Sequence, residues 1–381
     1  MANPQPSTLP DWLRHQAQHR PHAVALRHKR LGAWHALSWH EVATAVEQLA
    51  AGLAQRGFAA GDALLFVSHP REEALLLSLA AQWNGGVAIP LDPHLSDEAL
   101  RAVLTHLAPR FVFAEDDTQV DRLLAHEGLR VIDANPRNLT PHPHPAVTDY
   151  RTLAIPHEGG FASVAQPHDD AFAFVRLDAD RQLVAQRLSH ATLAQEAQRL
   201  VGTEKLGADD EAFAARAFAA ASQARYLIAP WLLSGFRLNF PESLATRDND
   251  RRELAPTLVA GTRETYARVA QLVDDRLPGA RSWRRRLINR AQRRQGGPLL
   301  RVLTWWFISR PLREVIGFSR THAALVIGPP LDGTTAALFA ALRVDVRAWP
   351  DTGEWRRIEH RREAPAHQRH AADGAAEQPA Y

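Results

Sequence analysis

The residues most able to do chemistry by type and spacing lie between positions 167 and 190. An acidic turn, Pro167-His168-Asp169-Asp170, leads into the apolar run Ala171–Val175, and a helical pattern begins after Leu188-Ser189-His190. Strand, loop and helix in that order is a setting in which backbone N–H groups and a positive helix end hold phosphate. The loop has other chemistry. Leu177-Asp178-Ala179-Asp180-Arg181 contains no glycine, so close backbone approach and φ > 0 are not freely available. It has no lysine, and Asp178 and Asp180 would meet a polyphosphate with like charge. Ser189 lacks a Gly-x-Ser-x-Gly elbow and an acidic partner, so it is expected to cap the following helix.

Four other stretches invite a chemical reading. His142-x-His144 sits in the proline-rich run Thr140–Pro145, with no third ligand at metal spacing, and is expected to be spacer. Asp332-Gly333-Thr334-Thr335 lacks a lysine and is expected to open a helix. Glu354 is a lone carboxylate near the chain end. Residues 281–301 hold eight arginines, followed by Trp305-Trp306-Phe307. Trp283, Arg284, Arg285, Arg286, Trp305 and Trp306 suit peripheral contact with an anionic membrane. A solvated helix face over buried aromatics is the alternative, and no reader motif points to specific nucleic-acid binding.

The elements that must position these residues follow from patterning. In 381 residues, 45% hydrophobic and 23% charged, two or so domains are expected. No apolar run approaches the ~20 residues that span a bilayer, and the first residues lack a signal-peptide pattern. The absence of cysteine excludes disulfides and fits a cytoplasmic protein. A net charge of only +3 with a pI of 9.6 reflects arginine content, not a nucleic-acid partner. Ser38 and Glu41 form a capping box for a helix from Trp39 to Arg56, with Val42, Val46, Leu49 and Leu53 on one face. Buried strands at 63–67, 87–91 and 111–114 alternate with helices at 72–83 and 100–107. This predicts an α/β fold of two doubly wound, mostly parallel sheets with flanking helices. The expected division is residues 1–150, residues 151–355, and a disordered tail at 356–381.

Leu37-Ser38-Trp39-His40-Glu41, Leu53-Ala54-Gln55-Arg56-Gly57 through Gly61-Asp62, and Gly85-Gly86-Val87-Ala88-Ile89-Pro90-Leu91-Asp92-Pro93 together resemble the opening of AMP-dependent synthetases and ligases. The long-chain acyl-CoA synthetases are the most similar branch. The second half continues the likeness in Ala217–Arg225, in Glu253–Tyr266, and in Ala323–Leu331, which resembles an adenine-side loop. The resemblance implies activation of a carboxylic acid with ATP and Mg²⁺, then transfer to CoA. It also places the family's phosphate loop on Leu177–Arg181 and its lysine on Val184, where no family residue stands. A family histidine falls on Ala221, and of a nucleotide- and Mg²⁺-positioning motif at Pro350–Glu354 only Glu354 matches. A protein lacking the family's C-terminal domain, with its catalytic lysine, is expected.

The reading that follows is an acyl-CoA synthetase-like protein without catalysis. It would have a binding or accessory role in fatty-acid or acyl metabolism, with an acyl ligand or a protein as its partner. No catalytic residue and no cofactor are expected. The protein would be cytoplasmic, or peripheral to the inner face of the membrane. The alternatives are an active long-chain fatty acid–CoA ligase using ATP, Mg²⁺ and CoA, and a decayed gene product.

Overall fold

A computed structural model describes residues 6–134, 142–156, 160–216, 218–275, 305–351 and 353–358. The strands run in chain order as β1 (Val24–Arg30), β2 (Ala33–Ser38), β3 (Ala63–Val67), β4 (Val87–Leu91) and β5 (Phe111–Ala114). There follow β6 (Arg130–Asp133), β7 (Val147–Asp149), β8 (Asp170–Leu177), β9 (Leu183–Ser189) and β10 (Glu211–Phe213). The last are β11 (Arg237–Phe240), β12 (Leu258–Gly261), β13 (Ala323–Ile327), β14 (Val346–Trp349) and β15 (Arg356–Arg357). They form two sheets, one ordered β15-β9-β8-β4-β3-β5-β6-β7, the other β14-β13-β12-β10-β11-β1-β2. Only β1–β2, β8–β9 and β9–β15 pair antiparallel among the described strands. The expected α/β architecture of two mostly parallel, doubly wound sheets is the observed one.

Residue 150 does not divide the sheets. β1 and β2 join the second sheet, with Leu26 opposite Leu238 on β11, and β8 joins the first, with Phe172 opposite Ala88 on β4. The physical reason is a core that both sheets share. Leu64, Phe66 and Phe111 of the first sheet and Leu26, Leu238 and Leu325 of the second pack into one cluster, around helices between them. The helix Glu72–Trp83 lies in this middle layer and is buried from Ala74 to Trp83, as a helix covered on every side must be apolar all round. Trp39 and Trp231, from helices 192 positions apart, stack at 4.9 Å there, and the Trp231 indole donates to the Ala25 carbonyl at 2.9 Å. The intervening strand residues point outward, as strand alternation requires. Leu65, Val67 and Val112 face one outer helix layer, and Ala324 and Val326 face the other.

Local signals hold where they were expected. Ser38 caps the helix Trp39–Gln55, and Glu41 reaches back to the Ser38 N–H at 2.7 Å. The helix expected at 100–107 begins earlier, at Asp97, capped by Ser96. Its first turn is acidic, which suits the positive helix end but carries no apolar signal.

Candidate active site

In an open α/β sheet, ligands bind outside the carboxyl ends of the strands, where adjacent strands send their helices to opposite faces. In the second sheet this point lies between β10 and β12. The helical segment after β10 packs in the shared middle layer, whereas the helix Arg263–Asp274 after β12 packs on the outer face. A cleft of about 410 Å³ opens there, with Phe213 and Arg216 on the β10 side and Ala260 and Thr262 on the β12 side.

The cleft is rich in donors. Arg216 Nη1, Arg251 Nη2 and Gln223 Nε2 are buried without a hydrogen-bond partner among the described residues. The rest of Arg251 is fixed: Nε donates to the Ile316 carbonyl at 2.9 Å, and Nη1 meets Asp248 at 2.9 Å. Burial pushes the Arg251 guanidinium down to about 10, against the pull of Asp248. Burial likewise lowers Arg216, opposed by Glu264 and Asp351. Buried donors normally find acceptors, so three orphans around one cleft describe a place for an anionic or carbonyl oxygen. Gln223 ends the turn that precedes a single π-helical turn, Ala224–Ile228. Arg225 on that turn is buried, its Nε 3.0 Å from Glu196. Ala221, at the family's histidine position, is also buried.

The segment expected to border a helix is instead the turn of a β-hairpin, with β9 standing between it and the helix His190–Glu204. The Asp178 carboxylate accepts the Asp180 N–H at 2.9 Å and the Gln182 N–H at 2.8 Å. Asp178 N–H donates to the Gln182 carbonyl at 2.9 Å. Arg181 takes the left-handed backbone, φ +59°, that glycine would adopt without strain. Arg357 of β15 reaches over the turn, 3.0 Å from Asp180 and 3.7 Å from Asp178. Arg181 points away to Glu98 at 3.1 Å instead of pairing with Asp180. Leu177 ends β8, Ala179 lies in the turn, and Val184 is buried in β9 opposite Arg176. A polyphosphate does not fit here, because a carboxylate already occupies the N–H groups.

Ser189 caps its helix, accepting from Thr192 N–H at 3.2 Å. His190 is fully buried, its Nδ1 accepting the Leu9 N–H at 3.2 Å. Glu354 is exposed and paired with Arg356 at 2.6 Å, and among the described residues no three His, Cys, Asp or Glu groups stand where one metal ion could bind. Asp332 caps its helix through Thr335 N–H at 2.9 Å. Trp283, Arg284, Arg285 and Arg286 lie outside the described residues. Trp305 begins a π-helical turn, Trp306 and Phe307 are exposed, and Arg310 lies over the Trp306 ring at 4.8 Å. No helix among the described residues is long and apolar enough to cross a membrane.

The first sheet has its own switch point, between β3 and β5, which sequence reasoning missed. His69 follows β3 and Glu115 follows β5, beside a cleft of about 710 Å³. Buried Glu115 holds His69 twice, by Oε1 to Nδ1 at 2.5 Å and by Oε2 to the backbone N–H at 2.8 Å. The hydrogen bond from Glu115 raises the His69 pKa above its ordinary value. A usable signal was present in the sequence: each polar residue stands within two positions of the end of an apolar strand run.

Residues 13–173 match the family model described as AMP-binding enzyme. Over these residues the chain is similar to the AMP-binding, adenylate-forming family. Curated family members with local similarity include the 2-succinylbenzoate–CoA ligase of Salmonella typhimurium, 33% identical over 105 residues, 27% of this chain and 22% of that protein. Another is the fatty acid–[acyl-carrier-protein] ligase MmaC of Mycobacterium marinum, 30% identical over 129 residues, 34% of this chain and 24% of that protein. The chain thus aligns with about a quarter of the length of either relative. Its fold matches the fatty acyl-adenylate ligase of L. pneumophila, TM-score 0.63, at 13% identity over 89% of this chain and 53% of that one. It also matches apo MatB of Rhodopseudomonas palustris, TM-score 0.66, at 19% identity over 90% and 59%.

Proposed function

We propose that this AMP-binding-like protein binds an organic acid in the β10–β12 cleft without activating it, as an accessory protein of acyl metabolism. The observation that carries the reading is the Asp178 hairpin, whose carboxylate takes the N–H groups of Asp180 and Gln182. A phosphate about 4 Å from that carboxylate meets a repulsion of about 4 kcal/mol at an effective dielectric near 20. Millimolar binding is itself worth only about 4 kcal/mol, so one such contact is enough to abolish it. Arg357 is already engaged with both aspartates, which leaves it poorly placed to offset the repulsion. The orphan donors of Arg216, Arg251 and Gln223 support an acid as the ligand. The names of both curated relatives also specify a carboxylic acid.

Isothermal titration with Mg-ATP, followed by pyrophosphate exchange across acids of several chain lengths, tests the reading. No ATP binding up to millimolar concentration and no exchange are expected. Micromolar ATP affinity with exchange above background would restore the ligase alternative. Native mass spectrometry then reports a co-purifying acid, and an empty cleft at all acid concentrations would refute the binding role. The exposed Trp306 and Phe307 beside Arg310 support reversible contact of a cytoplasmic protein with anionic membranes. Equal sedimentation with neutral and anionic vesicles would remove that part.

A further inference from the structure

The β3–β5 switch point carries a feature that the acid-binding reading neither uses nor explains. His69 is aimed by Glu115 as a metal-binding histidine is aimed by a carboxylate: Nδ1 faces the buried oxygen and Nε2 faces outward. The His69 backbone N–H donates to the other carboxylate oxygen at 2.8 Å, so the orienting group is itself held. Outward from His69 stands His94, which follows β4 and is placed by its backbone N–H donating to Asp92 at 2.9 Å. The two Nε2 atoms face each other at 3.3 Å, with the rings crossing at 74°.

Two neutral rings can share one N–H···N hydrogen bond across that gap, and the same separation also suits a shared ion. Two imidazole nitrogens about 2.0–2.1 Å from one tetrahedral ion lie about 3.3–3.4 Å apart. We propose that His69 and His94 bind a borderline divalent cation of the zinc class through their Nε2 atoms, with Glu115 as the residue that orients His69. Two imidazoles favour Zn²⁺, Ni²⁺ or Cu²⁺ over Mg²⁺ or Ca²⁺, which prefer oxygen donors. Because no third protein ligand stands at the pair among the described residues, the remaining coordination positions are open to water or to an incoming donor. The site faces outward at the carboxyl ends of β3, β4 and β5, next to the 710 Å³ cleft. Its distance from the Asp178 hairpin in the chain, and its independence of the Arg216 cleft, let it stand or fall separately from the proposed function.

Isothermal titration of the full chain with ZnCl₂ at pH 7.5 tests it. Expected is one micromolar site per chain, weakened at least tenfold in His94→Gln and in His69→Gln. Glu115→Gln keeps both imidazoles and is expected to weaken zinc by about 10- to 100-fold. The double variants His142→Gln/His144→Gln and His15→Gln/His19→Gln, at two other closely spaced histidine pairs, are expected to bind as wild type. His94 is exposed, so its substitution tests the site without disturbing the core. Wild-type affinity in His94→Gln overturns the proposal, as does loss of binding in either double variant. Ring ¹⁵N spectra give a second readout that does not depend on any variant folding. Zinc is expected to shift the Nε2 signals of two histidines, and signals unmoved at saturating zinc refute the site.

Discussion

Replacing His190 with asparagine tests whether its ring serves the fold as a buried neutral group. The ring is fully buried, its Nδ1 accepts the Leu9 N–H at 3.2 Å, and Nε2 has no partner among the described residues. Burial holds its pKa at about 4, against an ordinary value of 6.5, while the nearby Asp169 and Asp11 pull weakly the other way. The unfolded chain therefore takes up a proton between pH 6.5 and 4 that the folded chain refuses. Stability from the neutral ring is complete above the unfolded value and is lost as pH falls through the folded one. The interval is worth about 3 kcal/mol, a large share of the roughly 5–15 kcal/mol that holds a typical protein folded. Asparagine offers an acceptor near the Nδ1 position but cannot titrate there. Urea unfolding at pH 7, 5.5 and 4.5 is the assay. The wild type should lose about 3 kcal/mol more than His190→Asn over that range, while carboxylates common to both cancel. Parallel pH profiles would refute the argument that His190 is a buried neutral strut.

Four further outcomes are expected. Glu211→Gln should destabilise by about 1–3 kcal/mol in chemical denaturation, because it removes the shared acceptor charge of Arg27, Arg237 and Arg320, which lie 2.8–3.1 Å away and are partly exposed. Gly52→Ala should destabilise by about 1–3 kcal/mol or more, since a Cβ would lie 1.7 Å from the Leu153 carbonyl oxygen, whereas Gly202→Ala meets open space and should stabilise its helix by about 0.5–1 kcal/mol. Arg216→Gln should weaken binding of a carboxylate ligand at least tenfold with little change in melting temperature, and unchanged affinity would place the ligand elsewhere.

What the sequence disclosed is local. Ser38 with Glu41, Ser189 before its helix and Asp332 before Thr335 are caps, and each acts over three residues. The strand runs 63–67, 87–91 and 111–114 are apolar on both faces because both faces are covered. Other features depend on pairings between distant residues. Nothing near Val24 says that β1 will lie beside β11, and nothing near Asp170 says that β8 will lie beside β4. The loss of phosphate-loop residues at Leu177–Arg181 was visible, but the use of Asp178 to fill its own turn was not. Strand order also brings together His69, His94 and Glu115, which lie 25 and 46 positions from His69.

The interlaced sheets set an order of events during synthesis. The β1–β2 hairpin leaves the ribosome early, yet the strand beside which it lies, β11, begins only at Arg237. At about 5–20 residues per second, those roughly 200 intervening residues leave its paired edge open for about 10–40 s. In that interval Leu26, which will be fully buried, has no β11 to cover it. A nascent chain of this kind is a natural client for a holding chaperone. For the same reason, cutting the gene near codon 150 should give two fragments that are each insoluble alone and recover a folded protein only when expressed together.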